Sequence, residues 1–415
     1  MHMRSAISEL AAGFGTGRGT TIERYSQLEM MDYTKRAEAA GGFSLSGSDA
    51  GFNEAADALY AAADGTDLNE FWDEVQATIR LRNQARNRLV DLLTFKVTEL
   101  ATQVTLPNPV DFEVASEYGL PKGIRTTVNR FWRGYDFNFY DLAVRYTWRF
   151  IADADRRQLE QLNNAALEGD NRLVFNRIMR TLFNSLNSTG ITDEHLPVTV
   201  YKFYNGDSEV PPPYKTNTFT APHTHYLTTF GISGSATLVP ASVEGMNTQL
   251  DHHGYTTDNG YKKVLWVNPQ EAAIIRTWRV ATGATWDFLQ TSALTGGVVI
   301  PTNTQIVGQP QGIVPGQIGT YGPWHVVQED YIPAGYLVGL ASGGPDNIGN
   351  PIGIREHANP AYRGLKLIPG DKTGYPLVES FYQRGLGTGI RQRGAGVVCQ
   401  VKGVDATYVI PAIYV

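Results

Sequence analysis

Residues 108–146 constrain the fold most, because they have the pattern of a long two-stranded excursion between two helical segments. DFEVASEYG and RFWRGYDFNFYDLAVRYTW alternate in part between apolar and polar residues, and YGLPKGIRTT, which lies between the alternating parts, carries turn residues. A lone hairpin is only marginally stable in water. This segment therefore needs another surface to rest on.

The segment before the excursion, residues 67–107, has the pattern of a long amphipathic helix that is broken near Pro107. Asp67 can cap this helix, with Glu70 at the capping-box position. Its apolar residues recur at helical spacing: Phe71, Val75, Ile79, Leu89 and Leu93. Residues 1–66 before it are rich in Gly, Ala and Ser. They can hardly bury a core of their own, so we expect an arm that lies on another surface.

A second long helix is predicted over about 150–186. Asp153 and Asp155 near its start and Arg177 and Arg180 near its end are favourable for the helix dipole. Its apolar face is expected to contain Leu159, Leu162, Ala166, Leu173, Ile178 and Leu182.

From about residue 197 the pattern changes to short strands and loops. KKVLWVNPQEAAIIRTW predicts a strand over Val264–Val267, an N-cap at Asn268, Pro269 at the first helical position, and then a helix. Residues 295–325 are rich in Gly, Pro, Gln and Thr, and we expect long ordered loops there.

The composition excludes several classes of protein. The chain of 415 residues has a formal net charge of −6, whereas a protein that grips phosphates usually has a basic excess. The single cysteine, Cys399, excludes an intramolecular disulfide. Glu9 interrupts the apolar core that a signal peptide needs, and no apolar run approaches the ~18 residues that span a bilayer. We expect a protein made in the cytosol, with no membrane partner.

The segment ESFYQRGLGTGIRQRGAGVV, residues 379–398, is dense enough in glycine and arginine to suggest a phosphate-binding loop. Counted from Gly385 or Gly387, the third glycine of a dinucleotide fingerprint falls on Ile390 or Gln392, and no Walker Gly-Lys-Ser/Thr is present. AGVVCQV at its end has the pattern of a strand, not of the helix that such loops need. We interpret the segment as a bent strand whose glycines let backbones approach closely.

Two histidine pairs are the candidates for a metal site: His223 and His225 in PHTH, and His252 and His253 in DHHG. Paired imidazoles can hold zinc or another transition ion. Their spacing matches no strong metal signature, however, and no cysteine assists. We expect exposed loop histidines, no metal and no cofactor. GISGS and GFSLSG both miss Gly-x-Ser-x-Gly, so no catalytic residue is assigned.

The order of the segments resembles that of the major capsid proteins of tailed bacteriophages, the family with the HK97-type shell fold. The stretches that carry this resemblance are VLWVNPQEAAIIRTW, IPAGYLVGLASGG, NPIGIREHANPAYRG, YPLVESFYQRGLGTGIRQRGAGVVCQV and the ending YVIPAIYV. They are similar to runs in shell proteins of actinobacterial phages in particular. The resemblance covers residues 67–415 in architecture, and its motifs concentrate at about 260–280 and 330–415.

The resemblance implies an α+β, HK97-like capsid fold with six parts. These are an N-terminal arm (1–66), a long helix of the arm region (67–107), an E-loop hairpin (108–146), a P domain with a spine helix (147–199), an A domain (200–375) and C-terminal strands that complete the P/A body (376–415). In that family the E-loop lies over a neighbouring subunit. The family has no catalytic residues to carry over.

Nine residues of the hairpin and of the Gly/Arg-rich segment are candidates for contacts between subunits. They are Lys122, Arg125, Phe131, Trp132 and Arg133 in the hairpin, and Glu379, Arg384, Arg391 and Arg393 in the C-terminal segment. Arginine offers a rigid fork of five donors and is enriched at protein interfaces. Because the chain is negative overall, ion pairing with protein is favoured over contact with nucleic acid. We predict that Arg391→Ala or Arg393→Ala impairs assembly more than folding.

The resemblance implies a structural protein of the virion, and not an enzyme, that assembles in the host bacterial cytoplasm into pentamers and hexamers of an icosahedral head. Its partners would be further copies of itself, scaffold, portal and decoration proteins, and packaged double-stranded DNA through weak non-specific contact. Three alternatives stay open: an encapsulin-like nanocompartment shell, a tail or decoration component, and a hydrolase or nucleotide-binding enzyme.

Overall fold

The computed structural model of the chain describes residues 62–84, 88–106, 112, 114–115, 117–119, 129–191, 196–228, 237–291, 314, 316–369, 377–402 and 407–414. Its helices within these residues are α1 (Leu68–Gln84), α2 (Arg88–Leu93), α3 (Trp148–Asp153), α4 (Arg156–Phe183), α5 (Pro240–His252) and α6 (Pro269–Ile275). Its strands are β1 (Thr94–Val97), β2 (Ala101–Leu106), β3 (Asn129–Gly134), β4 (Asn138–Thr147), β5 (Ser188–Ile191), β6 (Pro197–Val200), β7 (Tyr226–Thr228), β8 (Lys262–Val267), β9 (Phe288–Gln290), β10 (Gln317–Tyr321), β11 (Trp324–Gln328), β12 (Tyr336–Ser342), β13 (Ile352–Arg355), β14 (Leu365–Ile368), β15 (Leu377–Ile390) and β16 (Gly396–Gln400).

A seven-stranded mixed sheet forms one half of the fold, in the order β7-β16-β12-β8-β11-β10-β9. Its central strands are buried on both faces. In β8, Val264 and Trp266 lie in one core with the end of α4, whereas Leu265 and Val267 lie in a second core with α5 and α6. A strand covered on both faces needs a continuous apolar run instead of alternation. The run VLWV meets that need.

A five-stranded sheet forms the other half, built around the 14-residue strand β15. The order is β1-β13-β15-β14, and β4 also pairs with β15 over ten residue pairs, Leu377↔Thr147 through Leu386↔Asn138. Helices α1, α3 and α4 pack against this sheet through a third core that includes Trp72, Leu159 and Tyr382. Two small two-stranded sheets, β2-β3 and β5-β6, complete the described strands.

Helix α4 spans 28 residues and therefore about 42 Å at 1.5 Å per residue. Asp155 caps its start, and the side chain of Asp155 accepts a hydrogen bond from the Gln158 backbone N–H at 3.0 Å. The helix buries three polar residues, Asn163, Asp170 and Thr181, and Asn163 contacts two tyrosines of the sheet. Asn163 accepts a hydrogen bond from the Tyr382 hydroxyl and donates to the Tyr146 hydroxyl at 3.2 Å. No helix among the described residues is long and apolar enough to cross a membrane.

Two predicted elements differ from the structure in extent. The helix predicted over 67–107 is wrong in its second half, because α2 ends at Leu93 and residues 94–97 and 101–106 are strands. The chain there is rich in β-branched residues (TFKV, ATQVTL), which favour strands, and β1 pairs in parallel with β13. The helix predicted over 150–186 is interrupted at Ala154 and divides into α3 and α4.

The excursion also begins earlier than predicted. Strand β2 pairs with β3 in antiparallel register from Ala101↔Gly134 to Leu106↔Asn129. We call this pair the hairpin base and, from here on, use the name excursion only for residues 107–128 between the two strands. Strand β4, which the sequence assigned to the hairpin, instead pairs with β15. The unit around Asn268 and Pro269 is confirmed, with β8 leading into α6.

The region predicted as long loops, 295–325, is in part strand. Strand β10 and the start of β11 lie within it. Residues 292–313 lie outside the described residues, as does the predicted arm up to residue 61.

We predict that Asn163→Ala lowers the free energy of unfolding by about 1–3 kcal/mol, because it leaves buried hydroxyls of Tyr146 and Tyr382 without their amide partner. The matched control is Asn164→Ala, one position along the same helix, where the side chain is exposed. Chemical denaturation of the isolated subunit measures both variants. Equal losses of stability in the two variants would contradict the structural role of Asn163.

Candidate assembly interface

The excursion carries large apolar side chains that the described part of the chain leaves in solvent. Phe112, Val114 and Tyr118 have relative exposures of 93–105%. Trp132 on β3 is 63% exposed. Large apolar side chains that are this exposed mark a candidate site for binding another protein. Two of the candidate contact residues, Lys122 and Arg125, lie outside the described residues.

The hairpin base is fixed firmly to the body of the subunit. Gly134 lies directly on β6, where an added Cβ atom would come 2.1 Å from Val198 Cγ2. The hydroxyls of Thr102 and Tyr135 form a hydrogen bond of 2.8 Å. Candidate residue Phe131 is half-buried, and its ring lies 5.3 Å from the guanidinium carbon of Arg133.

Arg133 and Arg393, both predicted contact residues, meet at one carboxylate inside the subunit. Both oxygens of Glu209 accept hydrogen bonds from Arg133, one of them at 2.8 Å, and Glu209 Oε2 also accepts from Arg393 Nη1 at 2.9 Å. The ring of Tyr201 lies 4.7 Å from the guanidinium carbon of Arg133 and 5.3 Å from that of Arg393. The hairpin base is thereby linked to the turn before β16.

Arg393 makes more hydrogen bonds within the described chain than the other candidate residues, and its side chain is fully buried. Its guanidinium also pairs with both oxygens of Asp207, at 3.1 and 2.7 Å, and donates from Nε to the Lys202 carbonyl at 2.7 Å. Burial acts to lower the pKa of Arg393, but Asp207 and Glu209 outweigh it and raise that pKa. Burial lowers the pKa of the neighbouring Lys202 to about 8.

These contacts revise the sequence-based view of Arg393 and Arg133. Within the described chain both guanidinium groups have carboxylate partners, so their first role is to hold the subunit together. Removing one member of a buried ion pair leaves an uncompensated charge, which is strongly destabilising. We therefore expect Arg393→Ala to impair folding, in contrast to the sequence-based prediction. A part for either residue in contacts between subunits stays a prediction.

The other three candidates of the C-terminal segment occupy separate places. Arg384 on β15 forms a two-pronged ion pair with Asp170 of α4, one contact being 2.8 Å. Glu379 pairs at 2.8 Å with the exposed Arg145 of β4. Arg391 is half-buried and donates to the Ile348 carbonyl at 3.3 Å. The structure brings Arg133 and Arg393 together at Glu209, whereas the contacts of these three residues are with other groups.

The glycines of the Gly/Arg-rich segment let another part of the chain cross β15 at backbone contact. Gly385, Gly387 and Gly389 alternate along the strand and so share one face. Added Cβ atoms there would lie 2.6 Å from the Phe137 ring, 1.6 Å from the Asp136 carbonyl oxygen and 2.5 Å from the Gly134 carbonyl oxygen. The interpretation as a strand with close backbone approach is confirmed, because residues 377–390 form β15 and its three glycines contact the crossing chain. A turn at 391–395 then leads into β16.

Three of the four histidines considered for a metal site come together, which the sequence-based expectation missed. The Nε2 atoms of His223, His225 and His253 are 3.0–3.1 Å from one another. His225 is buried, and the other two are partly buried, so the expectation of exposed loop histidines was wrong for these three. His252 is not part of this cluster.

Burial keeps the clustered imidazoles neutral. It lowers the pKa of His225 to about 3 and that of His253 to about 2, and it also lowers the pKa of His223. A neutral imidazole is the form that binds a metal ion. In the sequence, the spacing of His223 and His225 was the one available signal, because residues two apart on an extended chain point the same way. The third member follows α5, and nothing local predicts its approach.

A solved structure from a bacteriophage is clearly related to this chain. A chain from the structure of Mycobacterium phage Patience has 38% sequence identity and a TM-score of 0.64, and the match covers 86% of this chain and 94% of that one.

More distant likenesses are the mature capsid of bacteriophage PhiM1 (8% identity, TM-score 0.46, 76% of this chain and 87% of that one) and the holo-SrpI encapsulin complex from Synechococcus elongatus (13% identity, TM-score 0.41, 80% and 97%). At these TM-scores the two distant likenesses support no argument. No family model and no curated protein matches the chain.

We predict that Arg393→Ala lowers the free energy of unfolding by about 3–5 kcal/mol, because Asp207 and Glu209 lose their shared partner inside the subunit. The control is Arg145→Ala, which breaks the exposed pair with Glu379 and should cost about 0–1 kcal/mol. Denaturant unfolding of the isolated subunit compares them. If Arg393→Ala unfolds like the wild type but fails to assemble, the sequence-based prediction was right.

We also predict that Gly387→Ala lowers the free energy of unfolding by about 1–3 kcal/mol or more, because the new methyl group overlaps the Asp136 carbonyl. Gly169→Ala in α4 is the control, since a Cβ atom there meets no atom within 4 Å. It should stabilise the helix by up to about 1 kcal/mol. Thermal unfolding of both variants measures the difference. A neutral Gly387→Ala would refute the backbone crossing.

Proposed function

Because this chain belongs to the major capsid proteins of bacteriophages, we propose that it forms the pentamers and hexamers of an icosahedral phage head that encloses double-stranded DNA. The proposal includes an HK97-type arrangement of its parts. It assigns assembly to the cytoplasm of the host bacterium, with scaffold, portal and decoration proteins as further partners.

The proposed P domain consists of the five-stranded sheet with α4 as the spine helix. The proposed A domain is built on the seven-stranded sheet with α5 and α6. The C-terminal strands join the two, since β15 belongs to the first sheet and β16 to the second. This division supports the assignment of 376–415 as strands that complete the P/A body.

The excursion is proposed as the E-loop, which lies over a neighbouring subunit. The observation that carries this proposal is the exposure of Phe112, Val114 and Tyr118, which have no apolar cover from the described part of their own chain. At about 25 cal/mol per Å² of buried apolar surface, covering three such side chains gives several kcal/mol for each subunit contact. Many copies of one weak contact can then close a shell.

Contact with the packaged DNA is proposed to be weak and non-specific. The chain has a net charge of −6, and affinity for DNA increases with the number of phosphates that a protein neutralises. Arg133, Arg384 and Arg393 are paired with carboxylates of the same chain. These three arginines are thus not free to line a DNA-binding surface.

We predict that the triple variant Phe112→Ser, Val114→Ser, Tyr118→Ser folds normally but does not form closed shells. The replaced side chains are almost fully exposed in the subunit, so the free energy of unfolding should change by less than about 0.5 kcal/mol. Electron microscopy scores closed particles, and analytical ultracentrifugation measures the fraction of unassembled subunit.

The control for this variant is Leu81→Ser on α1, a large apolar side chain that is 66% exposed outside the excursion. It should leave shell formation unchanged. Closed particles of wild-type yield from the triple variant would contradict the E-loop assignment. Analysis of the wild-type particles for nucleic acid or protein content separates a phage head from an encapsulin-like compartment.

A further inference from the structure

The three rings of His223, His225 and His253 radiate from a common centre. Their ring centroids are 5.0–5.1 Å apart, whereas their Nε2 atoms are only 3.0–3.1 Å apart. The Nε2 atoms are therefore the innermost atoms of the cluster. The planes of the rings differ by 15–40°.

A hydrogen bond to the backbone determines which ring nitrogen of His225 carries the hydrogen. Its Nδ1 lies 2.7 Å from the Gly396 carbonyl oxygen, which can only accept a hydrogen bond. Nδ1 of His225 therefore carries the hydrogen, and in the neutral ring Nε2 presents a bare lone pair to the centre. Metal-binding histidines commonly donate their second N–H to a backbone carbonyl in this way.

Hydrogen bonds within the cluster cannot account for all three of its contacts. Two Nε2–H groups, on His223 and His253, could point at the one lone pair of His225, but then they would face each other without an acceptor. Each Nε2–H points in a single direction, so the three contacts cannot all be hydrogen bonds at once. A cation at the centre satisfies three lone pairs together.

The size of the triangle fits a small transition ion. A tetrahedral zinc ion with Zn–N bonds of about 2.0–2.1 Å sets its nitrogen ligands about 3.3 Å apart, close to the 3.0–3.1 Å found here. Imidazole suits zinc, copper, iron and nickel, whereas calcium and magnesium prefer oxygen ligands. Among the residues that the structure describes, no carboxylate joins the three histidines of the cluster.

We propose that His223, His225 and His253 bind one zinc ion through their Nε2 atoms, with solvent in the fourth position. The ion joins the segment before β7 to the end of α5 and, through His225 and Gly396, to β16. Tyr204 covers the cluster, since its ring centroid is 5.4–5.7 Å from those of all three histidines. The ring of Phe219 packs on His223 and His253. The role of the ion is to stabilise this edge of the seven-stranded sheet, independently of shell assembly.

The test measures zinc bound per subunit in the full-length protein. The protein is stripped with a chelator and dialysed against buffered micromolar zinc, and bound zinc is then measured by mass spectrometry. We expect one zinc per subunit for the wild type, and affinity at least about 100-fold weaker for His223→Gln and His253→Gln. The matched control is His252→Gln, which changes the neighbouring histidine outside the cluster and should bind zinc like the wild type.

Two further measurements keep the test valid if a variant does not fold. Cobalt added to the stripped wild-type protein should give the visible absorption of a tetrahedral site, and zinc should displace it. Zinc should also raise the melting temperature of the wild type and of His252→Gln. A wild type that binds neither ion at micromolar concentration overturns the proposal, as does a His253→Gln variant that binds zinc like His252→Gln.

Discussion

The crossing of residues 134–137 over β15 is the constraint on which the rest of the subunit depends. Because one face of β15 carries only hydrogen atoms at 385, 387 and 389, the crossing chain lies at backbone distance. Asp136 in that chain then accepts a hydrogen bond from the Thr388 N–H at 2.7 Å and pairs with Arg177 of α4. One short segment thus fixes where β3 ends, where β4 begins and how α4 lies on the sheet.

The stretch from Tyr201 to His225 contains almost no regular secondary structure. Buried polar side chains take the place of regular backbone pairing there. Lys202 and Phe203 supply carbonyl oxygens to the guanidinium of Arg393, and Asp207 and Glu209 supply its carboxylates. The histidine cluster closes the same stretch at its other end. A loop with few backbone–backbone hydrogen bonds must satisfy its buried N–H and C=O groups through side chains. In this stretch the charged side chains and the imidazoles provide those hydrogen bonds.

The sequence predicted correctly those elements that are determined by residues close together in the chain. The Asn268–Pro269 helix start and the strand character of the glycine-rich segment followed from spacing and side-chain chemistry. The helix predicted through residues 94–106 was wrong, because the partner of β1 is a strand that begins at Ile352. The carboxylate partners of Arg393 lie 184 and 186 residues away from it, and the third histidine of the cluster lies 28 residues from the second. Such contacts are set by the fold, and no spacing in a single sequence encodes them.

Because the hairpin base is fixed at one end only, a rotation of the subunit displaces its other end by a larger distance. Arg133 and Gly134 fix one end of β3 to the rest of the subunit, whereas Phe112, Val114 and Tyr118 of the excursion are almost fully exposed. A six-residue strand is about 20 Å long, so a rotation of about 10° at the body moves its far end by roughly 3–4 Å. In the proposed assembly, a small change of tilt between neighbouring subunits is therefore magnified at the far end of the hairpin base, to a displacement comparable with the length of an apolar contact.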